Sequence, residues 1–468
     1  MITQFTGLVL IIGYFLVVFI ITNLIKSRNT KLSYLVAERQ IPGWAAAFSF
    51  AATWIWAPAL FVAAEQAFIN GWVGVFWFTV PNIATLVIFS YFAKWMIRKY
   101  PDGFTLSGYI KDNYSKRTQN LYLVEGFGLQ ILSLAVQLLA GGLILHKITG
   151  LDYTLVTVLL ALIPLLYTVK KGLKASIITD FWQMGWIALV LLLGVPFVLN
   201  GAGVDALVSG LKSQAGDIEG LFTGRGLLVT IGFGIPTTIG LLSGTFGDQM
   251  FWQRVFSVKK GAVKNSLLWS AVIFGIVPVS LALFGFSAAG AGVNIGDTQL
   301  TNVEAVMAFA PNWFLYLFLI MILSGLVSTV DSIICAVSSF TAHDLWEKFK
   351  LKKVFFDAKN EDVNFARLSM IAVVILAVAI ANMNGIRILH LFLIYGTLRA
   401  SVMLPTAFSI AGLNVHEKGM FNGILLAMII GLPVFAYGNF TGQPLIAVTG
   451  SLLTILISGV LSLTLKNK

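Results

Sequence analysis

Charged residues are scarce in this chain. They fill 11% of 468 positions, against about 25% in an ordinary soluble domain. A chain so poor in charge lacks the surface to stay dissolved, which excludes a soluble enzyme and a disordered protein. Cysteine is nearly absent. Cys335 alone can neither close an internal bridge nor offer paired thiols to a metal. The four histidines, at 146, 343, 390 and 416, are too scattered to form a cluster. No G-x-x-x-x-G-K-[ST] phosphate loop occurs, so nothing supports nucleotide binding or ATP-driven pumping. What the chain has in plenty is apolar length: 58% of its residues are hydrophobic.

Apolar runs fall at 6–25, 43–69, 72–97, 119–146, 153–169, 176–199, 227–251, 265–289, 313–340, 366–384, 388–412, 420–437 and 443–464. Each is long enough for a membrane helix, which takes about 20 residues. The reading is therefore an all-α polytopic membrane protein with thirteen crossings, embedded in a plasma or inner membrane. The first run has its basic flank (Lys26, Arg28, Lys31, Arg39) after it, so the positive-inside rule puts the N-terminus outside and, after thirteen crossings, the C-terminus in the cytoplasm. On that path most of the 31 Lys and Arg residues collect on the inner side, Arg254, Lys259 and Lys260 among them. The net charge of +11 is then topological, and the expected surroundings are a lipid bilayer and a small solute, not nucleic acid.

Ionisable groups inside a bilayer are costly and mark function by default. Glu65, Glu125, Asp180, Asp248, Asp331 and Arg399 are the deep ones. Glu125 and Asp248 read as lying near the cytoplasmic boundary, whereas Asp331 falls mid-span. Around it, Ser324, Gly325, Ser328, Thr329, Ser332, Cys335 and Ser339 recur every three or four residues, which lines one helix face with small and hydroxyl side chains. Such a stripe serves close helix packing or, with its carboxylate and oxygens, a hard cation such as Na⁺. Two spans carry signs of a break. The run 43–69 holds Pro58, and the run 227–251 holds Gly232, Gly234, Pro236, Gly240, Gly244 and Gly247. Interrupted helices at matching places in two halves are the mark of a midplane transport site.

Several stretches together resemble the sodium/solute symporter family. These are PGWAAAFSFAATW (42–54), TDFWQ (179–183), DQMFWQRVFSVK (248–259) and SGLVSTVDSIICAVSSFTAHDL (324–345). The resemblance implies a LeuT-like core of two inverted five-helix repeats, at 43–199 and 227–412. One extra helix (6–25) precedes it and two (420–464) follow, all within a single transmembrane domain spanning 1–468. It also implies a Na⁺ site built from the carbonyls of Ala52, Ile55 and Gly325 with the hydroxyls of Ser328 and Thr329. A second ion site, present in some members, would fall on Asp180, Ser328, Asp331 and Ser332. TWIWAPALF, GVFWF, YPDGFTLSGYIKDNYS and SGTFGDQMFWQRVFS are similar to the urea-transporting branch.

The expected function is secondary active transport, not enzymatic catalysis. Inward Na⁺ movement would drive uptake of a small polar solute, urea or a similar neutral molecule, by alternating access. A proton-coupled symporter of the same fold and a passive solute channel are the alternatives. Candidate substrate contacts are Trp54, Trp56, Phe78, Ser243, Thr245 and Asp248, although membrane tryptophans more often face lipid or core.

Overall fold

The computed structural model describes residues 2–346, 360–383 and 388–466. Among them every extended element is a helix, and strand pairing is confined to two isolated bridges, Ile41 with Val258 and Gly220 with Thr223. Among the described residues, eleven helices are long and apolar enough to cross a membrane. In chain order the principal helices are α1 (Gln4–Asn23), α2 (Gly43–Trp54), α3 (Ala57–Lys99), α4 (Lys116–Thr149), α5 (Tyr153–Lys171), α6 (Leu173–Ala202) and α7 (Gly224–Gly247). They continue with α8 (Gln249–Ser257), α9 (Val263–Gly290), α10 (Phe314–Leu345), α11 (Glu361–Ala381), α12 (Ile388–Ala411), α13 (Glu417–Phe440) and α14 (Pro444–Thr464).

The 43 residues of α3 would stretch about 65 Å as one straight helix, twice the roughly 30 Å of a bilayer core. It is two helices joined at Gly71, whose φ of 54° and ψ of −152° no side-chain-bearing residue adopts readily. A Cβ there would sit 2.3 Å from the Leu211 carbonyl oxygen, so both conformation and close approach demand glycine.

Both expected breaks occur, but their positions differ from the simplest reading. α2 ends at Trp54, Ile55 and Trp56 are non-helical, and α3 begins at Ala57. Pro58 therefore stands in the first turn of the new helix, where its missing N–H leaves nothing unsatisfied. In α7 the glycines and Pro236 do not break the chain. Pro236 cannot donate to the Gly232 carbonyl, and the helix widens into a π turn over Thr230–Gly234. The break comes later, at Asp248, which is extended (φ −95°, ψ 115°) between α7 and α8.

Helix α10 forms the centre. Buried residues fill 89% of its apolar window, against 28% for α1, so α10 is a core helix and α1 a peripheral one. It packs against α2, α4, α5 and α6, which is why its polar stripe never meets lipid.

Candidate functional site

The break after α2 leaves backbone groups without helical partners. The Ala57 N–H donates to Gln137 Oε1 on α4 at 2.9 Å. On the carbonyl side, Ser328 Oγ lies 3.2 Å from Ala52 O and 3.0 Å from Gly325 O. Thr329 Oγ1 lies 3.2 Å from Ile55 O and 3.3 Å from Gly325 O. Three carbonyls and two hydroxyls thus converge, and all five residues are buried. Each hydroxyl has one proton to give, so the group holds more lone pairs than hydrogens. An oxygen-only, acceptor-rich cradle is the donor set a hard monovalent cation requires, and these residues fit Na⁺. Gly325 lets α10 approach the start of α3 closely: a Cβ there would lie 2.7 Å from Leu60 Cδ1.

The four residues of the expected second ion site do not form one cradle. Asp180 and Asp331 are both fully buried, yet they do not face each other as unpaired carboxylates. Arg254, read from the sequence as a cytoplasmic-loop cation, is 1% exposed and lies between them. Its Nη2 donates to Asp180 Oδ2 at 3.1 Å, Ser176 Oγ at 2.9 Å and Ser332 Oγ at 2.6 Å, while its Nε donates to Ser49 Oγ at 2.9 Å. Asp331 is held by Tyr167 OH and Ser176 Oγ, each at 2.5 Å, and by Thr179 Oγ1 at 3.2 Å. Ser328 turns the other way, into the cradle. The sequence signal for Arg254 was its setting in MFWQRVF, apolar on both sides, before the basic run of the loop begins.

Asp248, read from the sequence as lying near the cytoplasmic boundary, is fully buried within the protein. Its Oδ1 accepts from Gln130 Nε2 at 2.9 Å and its Oδ2 from Tyr395 OH at 2.9 Å, with Arg399 Nη1 3.5 Å away. The Arg399 guanidinium also stacks 3.7 Å over the Tyr395 ring, so it does not pair with Asp331. Glu125 is buried too, and among the described residues it makes no hydrogen bond or ion pair; Arg399 and Asp248 are within its electrostatic reach.

Of the substrate candidates, Trp54 and Trp56 are buried, with ring centroids 6.4 Å apart, and so do not face lipid. Trp56 lies 6.2 Å from the Tyr395 ring. At Gly244 a Cβ would touch both Trp54 Cη2 (2.6 Å) and Arg399 Nη1 (2.7 Å), so the tryptophan and the guanidinium meet over a glycine. Buried beside them without partners are Trp54 Nε1, Thr245 Oγ1, Gln137 Nε2 and Arg399 Nε. Phe78 stands apart, on the wall of a cavity of about 530 Å³ with Pro58, Phe61, Glu65 and Gln66. Glu65 there accepts from Thr298 Oγ1 at 2.8 Å. Ser243 is spent on the Ile239 carbonyl (2.7 Å) and the Met403 sulfur. Sequence reasoning missed Gln130, Gln137 and Tyr395, because amides and tyrosines in apolar helices carry no spacing signal of their own.

Hydrogen bonds tie segments together at the end of the molecule before α2. Arg39 donates to the Asp102, Gly103 and Phe256 carbonyls at 2.8–3.0 Å, Ser107 to Asp344 at 2.7 Å, and Tyr114 to Ser409 at 2.7 Å. The cavity lies beyond the break, on the Gly71 side.

The chain has relatives among known proteins. A family model described as the sodium:solute symporter family matches residues 34–431. The chain belongs to that family. The urea-proton symporter DUR3 of Oryza sativa subsp. japonica is 21% identical over 93% of this chain and 66% of its own length. The probable urea active transporter 1 of Schizosaccharomyces pombe is 24% identical over 58% of this chain and 44% of its own. A Staphylococcus aureus sodium/proline symporter is 26% identical over 80% of this chain and 74% of its own. The chain thus spans less than two thirds of the urea-transporting relatives. In fold, this symporter-family chain superposes on a Na⁺-coupled sialic acid symporter in a substrate-bound outward-open state. The TM-score is 0.75, with 16% identity and coverage of 97% of this chain and 96% of that one. It also superposes on a nucleobase-cation-symport-1 family transporter in a closed conformation, with a TM-score of 0.60, 15% identity and coverage of 92% and 94%. The architecture is thus a multi-pass, all-helical, LeuT-like transporter fold.

Proposed function

We propose that this protein is a Na⁺-driven symporter that moves a small neutral solute inward by alternating access. The observation that carries the reading is the five-oxygen cradle of Ala52, Ile55, Gly325, Ser328 and Thr329. It is built across a broken helix and the most buried helix, so a cation bound there fixes their relative position. Outward binding of Na⁺ holds α2 against α10, and its release lets that contact rock open.

In this reading the chain crosses the membrane thirteen times, N-terminus outside and C-terminus inside. Helix α3 is counted as two crossings and α12 as one. Residues 43–199 and 227–412 are the inverted repeats, flanked by 6–25 and 420–464 in one transporter domain. The cavity on the Gly71 side then opens outward, and the Arg39, Asp344 and Ser409 contacts close the cytoplasmic side. Trp54, Trp56, Thr245 and Asp248 form the substrate floor, and Phe78 stands at its entrance. The Asp248 charge is offset by Arg399, so the floor suits a neutral hydrogen-bonding solute, of which urea is the first candidate and proline, a neutral zwitterion, the second.

Uptake of labelled urea and of labelled proline into proteoliposomes, with and without an inward Na⁺ gradient, tests the reading. Gradient-driven accumulation of either supports it. Equilibration at the same rate without Na⁺ assigns a passive channel. Accumulation driven only by a pH gradient assigns proton coupling, a reading favoured by the partnerless Glu125 and by the proton-coupled relative.

A further inference from the structure

We propose that Arg254 is a cation supplied by the chain itself at the second ion position, and that the protein consequently binds a single exchangeable Na⁺. The inference rests on the Na⁺-coupled reading. Its ground is the place the guanidinium occupies. A cation between α6 and α10 would draw on the side-chain oxygens of Asp180, Asp331 and Ser332, with Ser49 and Ser176 alongside. Arg254 donates to four of these five residues, at 2.6–3.1 Å, and the fifth, Asp331, is taken by Tyr167, Ser176 and Thr179.

All but one of the side-chain oxygens a metal ion would need therefore already have hydrogen-bond partners, and the guanidinium stands in the space between them. Asp180 Oδ1 is the one carboxylate oxygen of the pair without a partner, and one oxygen cannot strip a cation of its water. Ser328, the fourth expected ligand, is committed to the Ala52 and Gly325 carbonyls of the first site. An arginine side chain stays charged throughout the physiological pH range, and its planar fork reaches several acceptors at once. It therefore offsets the buried Asp180 carboxylate permanently, where Na⁺ would do so only when bound, and it repels a second cation from the same space. The covalent tether is the functional difference. The residues implied for a second Na⁺ do not fit one while Arg254 stands among them.

The test is equilibrium binding of ²²Na⁺ to the purified full chain, with thermal unfolding followed in parallel. Wild type should bind one Na⁺ per chain, and Thr329→Ala should lose it at the same concentration. Arg254→Lys, which keeps the charge, should also bind one. Arg254→Ser should either bind a second Na⁺ or be stabilised by millimolar methylguanidinium, which should leave wild type unaffected. Two Na⁺ on wild type, one of them lost in Asp180→Asn, overturns the proposal. So does a folded Arg254→Ser that binds one Na⁺ and ignores methylguanidinium. Should Arg254→Ser fail to fold, the wild-type, Arg254→Lys and Asp180→Asn stoichiometries decide. Wild type without any bound Na⁺ overturns the Na⁺-coupled reading itself, and the methylguanidinium response then decides the place of Arg254 alone.

Discussion

Deleting the Thr329 hydroxyl probes the cradle most directly. The side chain is 1% exposed and its Oγ1 contacts two carbonyls, at 3.2 and 3.3 Å. Both are long contacts sharing one proton, so their loss in Thr329→Ala should cost about 1 kcal/mol of stability, within the usual range for a hydrogen bond. The effect on Na⁺ should be larger. Removing one oxygen of five from a buried charge is comparable to losing a hydrogen bond to a charged group, roughly 1.5–3 kcal/mol, or about 10- to 150-fold in affinity. Linkage turns this into a melting experiment that needs no substrate. Wild type at 100 times its Kd gains about 2.7 kcal/mol from Na⁺, whereas a variant weakened about 50-fold, at the same concentration, gains only about 0.6 kcal/mol. Thr329→Ala should therefore lose most of the Na⁺-dependent rise in Tm while unfolding nearly normally in choline chloride. Thr329→Ser keeps the oxygen and should stay within about threefold of wild type, well under 1 kcal/mol. Equal Na⁺ stabilisation of wild type and Thr329→Ala would refute the placement of the ion.

Three further outcomes are expected. On a Cys335→Ser background, Ala215→Cys should react with an impermeant thiol reagent from outside intact cells and Lys260→Cys only after permeabilisation, since both positions are exposed and the proposed path puts them on opposite sides; labelling from one side breaks the thirteen-crossing path. Gly71→Ala forces a side chain into positive φ and against the Leu211 carbonyl, so it should destabilise by more than about 1 kcal/mol, read as a lowered Tm and poor recovery from the membrane, and a normal Tm would show that the α3 bend is not obligatory. In the loop after the Val204–Gly210 helix, hydrogen bonding to Arg225 holds the Asp217 carboxyl below its ordinary range. A lowered folded-state value stabilises above the unfolded one and is lost as pH falls through it. Asp217→Asn should thus melt slightly below wild type at neutral pH and converge with it in acid, whereas a gap that persists there would show that the pairing is not electrostatic.

Much of the fold was legible because lipid imposes a rule that single residues cannot evade: each crossing must be apolar over a fixed length. The apolar runs, the breaks near Pro58 and within 227–251, and the stripe on α10 all follow from composition and spacing. The cradle residues were named from motif likeness, and the structure brings all five within hydrogen-bonding range. Helix α3 was readable as two runs because Asn70 and Gly71 separate the apolar run that ends at 69 from the one that begins at 72. The exact break in α7 was not, since glycine permits a bend without requiring one, and the chain bends at Asp248 because Gln130, Tyr395 and Arg399 are there to receive its carboxylate.

The sequence by itself determined that the chain is built from apolar runs of membrane-crossing length and that two of its helices are interrupted. Only the tertiary structure decided which charges meet. Arg254 and Asp180 are 74 positions apart, and Asp248 and Tyr395 are 147 apart. Whether such groups pair depends on how helices cross, not on any local periodicity. A basic residue at the end of an apolar run can snorkel to the cytoplasm or turn inward, and the run looks the same in either case. In Arg254 the inward path prevails because Ser49, Ser176, Asp180 and Ser332 present acceptors from three different helices, and their partnering offsets the cost of burying the charge.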